Sequence, residues 1–465
     1  MITFGTDGWR GLIARDFTFE NLQSVALATA KYLKSISKDN ISVVIGYDTR
    51  FLSKEFAKEV AQVFAWQDIL VHLTNTFSST PQVSFHTKQK IVDLGVVITA
   101  SHNPPLYNGF KLKANFGGPA TPEQVAAVEK ELKKVIQRRP NFNFKSYDYY
   151  LSANKIRIFD AEPSYVRHLK KKIDIAAILD AKFKILYDPM YGAGMNCFNS
   201  IIPNVTQIHS TFNPSFGDID HPEPMPPHID ELMKKVVAGK YDIGIATDGD
   251  ADRLGLVDNE GNFVDSHKVF LILLKYLFNE KKKKGIVAKT VSLTSMVDKF
   301  CLKNKIKLEE TPVGFKHIAK LMNENKVIIG GEESGGLGTI LHIPERDGLF
   351  NGLLVLEIMA KLGKTLKQLV DELEEEFGPH RFLRRDKVVT QQQKNAILAA
   401  CEKKPFRIGR YDVIGYNYKD GYKFFVENGW LLIRPSGTEP LIRFYAEAEN
   451  INKVNELLDE GMKLK

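Results

Sequence analysis

Cysteine and long hydrophobic runs are scarce in this chain of 465 residues. Cys197, Cys301 and Cys401 lie far apart and are odd in number, which excludes a disulfide framework and the closely spaced thiols of a zinc site. No uninterrupted apolar run approaches the ~18 residues of a membrane span. The N-terminal residues lack the basic and apolar regions of a signal peptide. We therefore predict a cytoplasmic protein without a membrane partner.

The sequence also lacks the signatures of two large functional classes. No Gly-x-x-x-x-Gly-Lys-Ser/Thr loop is present, which argues against an ATP-dependent kinase. The formal net charge is +8, but basic and acidic residues are interleaved, and the one dense run, Lys281 to Lys284, is typical of a solvated helix end. Without a clustered basic face that carries aromatic side chains, we predict no nucleic-acid partner. A mild positive charge suits small phosphorylated molecules.

The length and the pattern of elements indicate several domains. A chain of 465 residues is too long for one core, and a hydrophobic content of 43% with 26% charged residues is ordinary for globular proteins. Strands alternate with helices in three successive segments, which predicts α/β domains, whereas short strands and turns dominate after about Arg381. The predicted domains are residues 1–146, 147–257, 258–378 and 379–465.

Ser101 follows the apolar strand Val96–Ile98 in a small polar loop. Open α/β sheets bind ligands at the carboxyl ends of their strands, so this position favours a functional serine. The loop has no Gly-x-Ser-x-Gly pattern, which argues against a hydrolase nucleophile. Taken alone, Ser101 could be an ordinary loop serine. A phosphorylated Ser101 would carry about −1.5 to −2 charges and would need a cation beside it.

Asp248, Asp250 and Asp252 alternate directly after a buried strand. Three close carboxylates repel one another, so a hard divalent cation is their natural partner, although a solvated acidic turn is the simpler alternative. The EF-hand pattern fails, because Arg253 and Asn259 replace its sixth-position Gly and twelfth-position Glu. The few protein ligands favour Mg²⁺, which keeps positions for water or phosphate and could bridge the aspartates to a phosphoserine.

Two further groups of polar residues have the chemistry to handle protons and sugar hydroxyls. His102 or Lys111 could take the proton of an attacking hydroxyl, although a hydrogen-bonded loop histidine and a surface lysine are the alternatives. Glu332 and Ser334 lie in a glycine-flanked loop and suit vicinal sugar hydroxyls. Adjacent glutamates, Glu332 and Glu333, could indicate glycosidase chemistry, but neighbouring side chains point in different directions, which disfavours it.

Arg434, Ser436, Gly437 and Thr438, with Arg443 after them, have the composition of a phosphate cradle. Gly437 permits a bend that points backbone N–H groups at an anion. The hydroxyls and the planar guanidinium add charge-assisted hydrogen bonds, although an ordinary turn is the alternative. Together, the serine, aspartate and arginine loops predict metal-assisted phosphoryl transfer between a serine and a sugar phosphate.

Four motifs in this order, Thr99–Pro104, Asp248–Arg253, Gly331–Gly335 and Arg434–Pro440, resemble the α-D-phosphohexomutases, the phosphoglucomutase and phosphomannomutase family. The resemblance covers essentially the whole chain. It implies three similar α/β domains with mixed sheets and a C-terminal α+β domain around a central active-site cleft. It also implies a phosphorylated Ser101, and Mg²⁺ bound by this serine and the three aspartates.

The resemblance assigns further roles within the motifs. Lys111, in Gly-Phe-Lys, matches a proposed general acid/base, and Arg10 matches a cleft arginine. Phosphoserine would give its phosphate to glucose 1-phosphate, the resulting glucose 1,6-bisphosphate would turn over, and Ser101 would take the other phosphate to release glucose 6-phosphate. A closed cleft must exclude water from this cycle. The implied sugar-binding residues are Glu332, Ser334, Gly314 and Lys316, and the implied phosphate-binding residues are Arg434, Ser436, Gly437, Thr438 and Arg443.

The sugar preference depends on fewer residues. Mannose- and glucosamine-type members usually have His where Gly336 stands, and the stretches Thr311–Lys316 and His342–Gly348 look more like the glucose type. Arg346 stands where some such members have lysine; arginine does not readily give up a proton, so an electrostatic clamp is expected. We predict a phosphoglucomutase, with phosphomannomutase or phosphoglucosamine mutase as alternatives. A catalytically silent sugar-phosphate sensor is the alternative class, and a monomer or homodimer is expected.

Overall fold

The structure is a computed structural model and describes residues 2–5, 7–36, 39–195, 197–436 and 440–464. Its chain divides into two units, of which the first consists of Met1–Lys284 and Gly314–Lys367 and the second of Gly285–Val313 and Gln368–Lys465. Within the described ranges, no helix has both the length and the apolar composition of a membrane span.

A mixed sheet of six strands occupies the N-terminal part of the first unit. Its elements are β1 (Trp9–Leu12), α1 (Phe19–Ile36), β2 (Ser42–Tyr47), α2 (Ser53–Trp66), β3 (Leu70–Thr74), α3 (Thr80–Gln89), β4 (Leu94–Ile98), β5 (Tyr107–Ala114), α4 (Pro122–Arg138), α5 (Tyr147–Ser152) and β6 (Ile156–Phe159). The strand order is β1-β5-β4-β2-β3-β6, with β2 parallel to β3 and β4, and β5 antiparallel to β1 and β4. Val43, Ile45, Val96 and Ile98 are buried in one core, where β-branched side chains fit the pleated surface.

The second sheet of this unit has five strands and is also mixed. Its region contains α6 (Glu162–Lys172), α7 (Ile175–Ala181), β7 (Ile185–Asp188), β8 (Thr206–Gln207), α8 (Asp230–Gly239), β9 (Ile243–Thr247), β10 (Leu254–Val257) and β11 (Phe263–Val264). The order is β11-β10-β9-β7-β8, with β7 parallel to β8 and β9, and β10 antiparallel to β9 and β11. Every residue of β7 and β9 is buried, as expected for parallel strands covered on both faces.

The third α/β region contributes elements to both units. It contains α9 (Ser266–Asn279), β12 (Ile286–Thr290), α10 (Met296–Lys303), β13 (Leu308–Thr311), α11 (Phe315–Glu324), β14 (Val327–Gly331), β15 (Leu337–Thr339), α12 (Gly348–Leu362) and α13 (Leu366–Phe377). In the second unit, β12 and β13 pair in parallel. In the first unit, β14 and β15 pair antiparallel. This region therefore also contains both kinds of strand pairing.

The C-terminal region differs from the other three. It contains β16 (Arg381–Val388), α14 (Gln391–Glu402), β17 (Arg407–Ile408), β18 (Tyr411–Asn417), β19 (Tyr422–Val426), β20 (Gly429–Pro435), β21 (Leu441–Ala448) and α15 (Ile451–Lys463). The six strands form an antiparallel sheet in the order β16-β21-β20-β19-β18-β17. Val454, Leu457 and Leu458 of α15 are buried in its core. The predicted fold class is confirmed, whereas the exact boundaries of the four domains stay a prediction.

Three polar loops of the first unit begin where a buried strand ends. β4 ends three residues before Ser101, β9 ends directly before Asp248, and β14 ends directly before Glu332. All residues of these three strands are buried, so each loop starts from a fixed anchor. The sequence pattern of an apolar strand followed by a polar loop therefore corresponds to three strand ends in the structure.

Candidate active site

Ser101 is buried and sits in a left-handed backbone conformation, with φ of 55°. Its N–H donates to Thr99 Oγ1 at 2.9 Å, and its hydroxyl Oγ donates to Asp248 Oδ2 at 2.8 Å. Non-glycine residues rarely adopt a positive φ unless the surroundings impose it. The loop therefore holds the hydroxyl in one place, directly against the first aspartate of the acidic motif.

Arg50 explains much of this rigidity. Its two terminal nitrogens donate to the carbonyl oxygens of Ser101 at 2.7 Å, Asn103 at 2.6 Å, Pro104 at 2.7 Å and Tyr107 at 3.0 Å. The planar fork of a guanidinium fits such a curved row of acceptors. Sequence reasoning missed this residue, because the pattern Asp48-Thr49-Arg50 marks only the end of a strand.

The three aspartates form the acidic cluster predicted from their spacing. Asp248, Asp250 and Asp252 are fully buried, and one carboxylate oxygen from each lies within 4.8 Å of the others. Oδ1 of Asp250 and Oδ1 of Asp252 are buried without a hydrogen-bond partner among the described residues. Burial, followed by the charges of the other two aspartates, raises the pKa of Asp248 well above its ordinary value. Buried, unsatisfied carboxylate oxygens are the donor set of a hard divalent cation, so these residues fit a metal.

Lys111 reaches into this cluster from β5. Its Nζ lies 2.8 Å from Asp250 Oδ2, 3.1 Å from Asp252 Oδ2 and 2.9 Å from Asp7 Oδ2. Burial acts to lower the pKa of Lys111, but the carboxylates of Asp250, Asp252 and Asp7 outweigh it and hold that pKa above its ordinary value. Lys111 is therefore a firmly protonated cation, and the alternative of a surface lysine is wrong.

Arg346 joins the aspartate loop to the loop that follows β14. Its Nη2 lies 2.7 Å from Asp252 Oδ2 and also pairs with Asp7, and its Nη1 lies 3.6 Å from Glu332 Oε2. A Cβ atom added to Gly336 would lie 2.4 Å from Arg346 Cδ. The missing side chain at position 336 therefore makes room for the arginine. With Glu345 Oε1 at 3.7 Å from its Nε, Arg346 has four carboxylates around its guanidinium, and its role as an electrostatic clamp stays a prediction.

Glu332 is the buried carboxylate of the predicted sugar loop. Its Oε1 accepts the N–H of Gly314 at 3.0 Å. Burial raises the pKa of Glu332 to about 7, and the charge of Arg346 opposes this rise. Ser334 is half-buried in the same loop, and Lys316 is half-buried in the first turn of α11. The structure thus brings Gly314 and Glu332 into contact. Lys316 lies two residues after Gly314 in the sequence, and Ser334 lies two residues after Glu332.

The raised pKa of Glu332 predicts a pH-dependent stability. A carboxyl group whose pKa rises on folding is neutral in both states at low pH, and it destabilises the folded state as pH rises toward the folded pKa. Relative to a Glu332→Gln variant, the wild type should lose on the order of 3 kcal/mol of unfolding free energy between pH 5 and pH 8, because the pKa moves from 4.5 to about 7. Urea denaturation at the two pH values measures this difference.

A matched control for this measurement is Glu324→Gln, which removes an exposed carboxylate at the end of α11. Because water solvates that carboxylate in both states, the control should follow the wild-type pH dependence. Parallel stability curves for the wild type and Glu332→Gln would contradict the prediction.

His102 and Arg10 flank the serine loop. Burial, followed by the cations Arg253 and Arg10, lowers the pKa of His102 well below its ordinary value, so its imidazole is neutral at pH 7. Its Nδ1 is buried without a hydrogen-bond partner among the described residues. Arg10 Nη1 donates to the side chain of Asn103. His102 follows Ser101 in the chain and Arg10 contacts Asn103, while the catalytic roles of both stay predictions.

Several residues of this site carried no clear sequence signal. Asp7 forms ion pairs with Lys111 and with Arg346, and Arg346 is 339 residues away from it in the sequence. Glu345 Oε2 pairs with Lys113 Nζ at 2.8 Å and with Ser84 Oγ at 3.0 Å, and all three side chains are buried. The one sequence signal that could have pointed to Asp7 is the pair of nearby glycines, Gly5 and Gly8, because glycines around an aspartate are typical of a polar turn.

The predicted phosphate loop lies in the second unit, at the end of β20. Arg434 on β20 pairs in register with Arg443 on β21, so two guanidinium groups start from adjacent positions of the sheet. Arg434 Nε donates to Asp420 Oδ2 at 2.8 Å, and Ser436 is buried. Adjacent arginines with a serine have the chemistry of an anion site. The other two predicted members, Gly437 and Thr438, lie outside the described residues.

The chain matches four family models, each described under "Phosphoglucomutase/phosphomannomutase". The alpha/beta/alpha domain I model matches residues 1–139, domain II matches 163–261, domain III matches 265–377, and the C-terminal domain matches 383–464. Together, these models cover most of the chain in the order predicted from the motifs.

Individual proteins are similar over nearly their whole length. A "Phosphoglucomutase/phosphomannomutase" of Thermococcus kodakarensis is 30% identical and covers 99% of this chain and 98% of its own. A "Probable phosphoglucosamine mutase" of Methanosphaera stadtmanae is 34% identical and covers 98% of this chain and 97% of its own. A solved structure from Thermus thermophilus is 31% identical, covers 100% of this chain and 98% of its own, and superposes with a TM-score of 0.86.

Proposed function

The chain belongs to the phosphoglucomutase/phosphomannomutase family, and on that premise we propose that it interconverts glucose 1-phosphate and glucose 6-phosphate through a phosphorylated Ser101. The observation that carries this proposal is the contact of 2.8 Å between Ser101 Oγ and Asp248 Oδ2, at the edge of a buried acidic cluster. A serine in that position can hold a phosphate only where cations balance its charge.

The acidic cluster would hold Mg²⁺ through Asp248, Asp250 and Asp252, with Ser101 or its phosphate as a further oxygen donor. The carboxylate oxygens and the shortage of other protein ligands favour Mg²⁺ over softer metals. When bound, Mg²⁺ neutralises the charge on a transferring phosphoryl group.

The side chains of the first unit support the transfer in separate ways. In the first transfer, an oxygen of the sugar hydroxyl forms a bond to phosphorus while the bond from phosphorus to Ser101 Oγ breaks. Lys111 and Arg346 keep fixed positive charge at the cluster, which stabilises a phosphoryl group in transit. His102 and Lys111 stay the two candidates for handling the proton that the hydroxyl loses: burial and nearby cations keep His102 neutral, whereas Lys111 is protonated. The second transfer runs in the opposite direction with the other phosphate.

The second unit would bind the phosphate that does not react. Arg434, Ser436 and Arg443, with Gly437 and Thr438, supply guanidinium, hydroxyl and backbone donors for it. Glucose 1,6-bisphosphate is the proposed intermediate and activator, and an N-acetylphosphoglucosamine mutase of Aspergillus fumigatus was solved in complex with this compound. A bisphosphate carries two phosphates, and each of the two units contains its own candidate phosphate-binding group.

Glucose is the proposed sugar, because Gly336 stands where mannose- and glucosamine-type members usually have His, and the stretches Thr311–Lys316 and His342–Gly348 look more like the glucose type. Glucosamine phosphate is the second candidate, since the Methanosphaera stadtmanae relative carries that name at 34% identity. Mannose phosphate is the third, because the Thermococcus kodakarensis relative is named for both glucose and mannose chemistry. A silent sugar-phosphate sensor is disfavoured, because Ser101 and all three aspartates are present.

One assay tests the reaction and ranks the sugars. Purified protein with Mg²⁺ and glucose 1,6-bisphosphate is incubated with glucose, mannose and glucosamine 1-phosphates, and the 6-phosphates are measured. We expect the highest kcat/KM for glucose 1-phosphate. A higher value for another sugar would correct the substrate, and no turnover of any of the three would overturn the proposed mutase activity.

Adding a methyl group at position 336 should disturb Arg346. In Gly336→Ala, the new Cβ would lie 2.4 Å from Arg346 Cδ, so the arginine must leave its place among the carboxylates. We expect kcat/KM to fall about 10-fold to 100-fold, the usual effect of a small displacement in an active site. The control is Gly415→Ala on β18, where the nearest atom would lie 3.4 Å from the new methyl group. Equal activity of both variants would contradict this role of Gly336.

A further inference from the structure

We propose that Asp420 is a positioning residue that orients the phosphate-binding Arg434 and holds the backbone amide of Val313. Asp420 lies in the turn between β18 and β19, and nothing in its sequence context marks more than a turn. The inference rests on the proposed function, because it takes Arg434 as a ligand of the phosphate that does not react.

One carboxylate oxygen makes both contacts. Asp420 Oδ2 accepts from Arg434 Nε at 2.8 Å and from the backbone N–H of Val313 at 2.8 Å. The side chain of Arg434 is 14% exposed and that of Asp420 is 21% exposed, so water screens this pair only in part. A hydrogen bond to Nε fixes the plane of the guanidinium, and with it the directions of the other N–H groups.

The turn that carries Asp420 packs directly on the strand of Arg434. Gly421 has φ of 86°, and a Cβ atom there would lie 2.6 Å from Ile433 O and 3.1 Å from Arg434 Cα. Only glycine permits this conformation together with such a close approach. The backbone next to Asp420 is therefore held close to the strand of Arg434.

The amide bonded to Asp420 stands next to an amide bonded to Glu332. Within the second unit, the N–H of Val313 donates to Asp420, and within the first unit, the N–H of Gly314 donates to Glu332 Oε1 at 3.0 Å. Two successive peptide groups thus each have their own carboxylate acceptor. A change at Asp420 therefore releases both Arg434 and the amide of Val313.

Steady-state kinetics on the full chain test the first part of this inference. Because the phosphate bound by Arg434 does not react, its contact is equal in the ground and transition states, and its loss raises KM without changing kcat. We expect Asp420→Ala to raise the KM for glucose 1-phosphate about 10-fold, with kcat within about 2-fold of wild type. Asp420→Asn keeps an acceptor oxygen without its charge and should raise KM about 3-fold. The control Asp412→Ala removes an exposed aspartate of β18 that pairs with Arg407, and should leave KM unchanged.

A double variant separates positioning from general destabilisation. If Asp420 acts through Arg434, then Asp420→Ala combined with Arg434→Ala should have the same KM as Arg434→Ala alone. Hydrogen exchange of the Val313 amide should accelerate in Asp420→Ala and stay at the wild-type rate in Arg434→Ala. A further rise of KM in the double variant, or a wild-type KM in Asp420→Ala, would overturn the inference. Where Asp420→Ala does not fold, a wild-type KM in Asp420→Asn would overturn it.

A binding measurement tests the positioning role of Asp420 independently of the proposed mutase activity. Calorimetry with glucose 6-phosphate should show about 10-fold weaker binding to Asp420→Ala than to the wild type or Asp412→Ala. This result in a wild type that turns over no hexose phosphate would reject the mutase function and support the positioning role. Equal binding by all three proteins would overturn the positioning role, whatever the activity.

Discussion

Ser101→Ala is expected to lower turnover of the hexose 1-phosphate by about 10⁴-fold or more, because loss of a nucleophile removes the covalent route entirely. The variant should fold as the wild type does, since the hydroxyl makes one hydrogen bond, to Asp248, while backbone contacts to Thr99 and Arg50 hold the loop. Mutase assays and thermal unfolding of both proteins measure these two effects.

The matched control is Ser334→Ala, a half-buried serine in the sugar loop. It removes a hydroxyl from a proposed binding residue, so it should affect KM more than kcat and retain turnover. Mass spectrometry of the wild type after incubation with glucose 1,6-bisphosphate should show one added phosphate, and the Ser101→Ala protein should show none. Full activity of Ser101→Ala would reject the serine as the phosphate carrier.

Asp248→Asn and Asp250→Asn are both expected to lose most of the activity but to differ in stability. Asp248→Asn and Asp250→Asn should each lower turnover by about 10³-fold, the scale of losing electrostatic stabilisation in a phosphoryl transfer. In metal-free protein, however, Asp250→Asn leaves the buried Lys111 with one carboxylate fewer, and the acceptor that Thr80 Oγ1 uses loses its charge. Removing one partner of a buried ion pair costs about 3–5 kcal/mol.

Asp248 is in a different environment. Its Oδ2 accepts from Ser101 Oγ, and its cation, Arg253, lies at 3.9 Å, a longer distance than the 2.8 Å between Lys111 and Asp250. Asp248→Asn removes a charge that burial and two neighbouring carboxylates disfavour. The variant should therefore be more stable than Asp250→Asn by about 2 kcal/mol or more.

Urea denaturation with and without chelator, and then with added Mg²⁺, tests this difference. Mg²⁺ should stabilise the wild type and should have a smaller effect on both variants, because each has lost a ligand. Equal stabilities of Asp248→Asn and Asp250→Asn in metal-free protein would contradict the assigned pairing of Lys111.

The sequence alone predicted those parts of the candidate site that depend only on residues close together in the chain. An apolar strand followed by a polar loop identified Ser101, Asp248 and Glu332, because strand ends are set by local hydrophobic pattern. The alternating aspartates predicted an acidic cluster for the same reason. These loops needed no knowledge of distant partners.

Distant partners were the part that local pattern could not supply. Arg50 contacts carbonyl oxygens 51 to 57 residues away, and Asp7 meets Arg346 across 339 residues. Such pairs depend on the packing of separate elements, and a lone arginine or aspartate in a turn resembles many solvated ones. The roles of the site residues, and the domain boundaries at 146, 257 and 378, stay predictions.

Arg50 has a consequence for how the two halves of the reaction can occur. Its guanidinium donates to four carbonyl oxygens in and just after the Ser101 loop. Its Nε lies 3.1 Å from Oδ2 of the buried Asp48. A loop tied this way cannot swing between two ends of a substrate. In the proposed mechanism, the sugar bisphosphate would therefore have to turn over between the two transfers while the Ser101 loop stays in place.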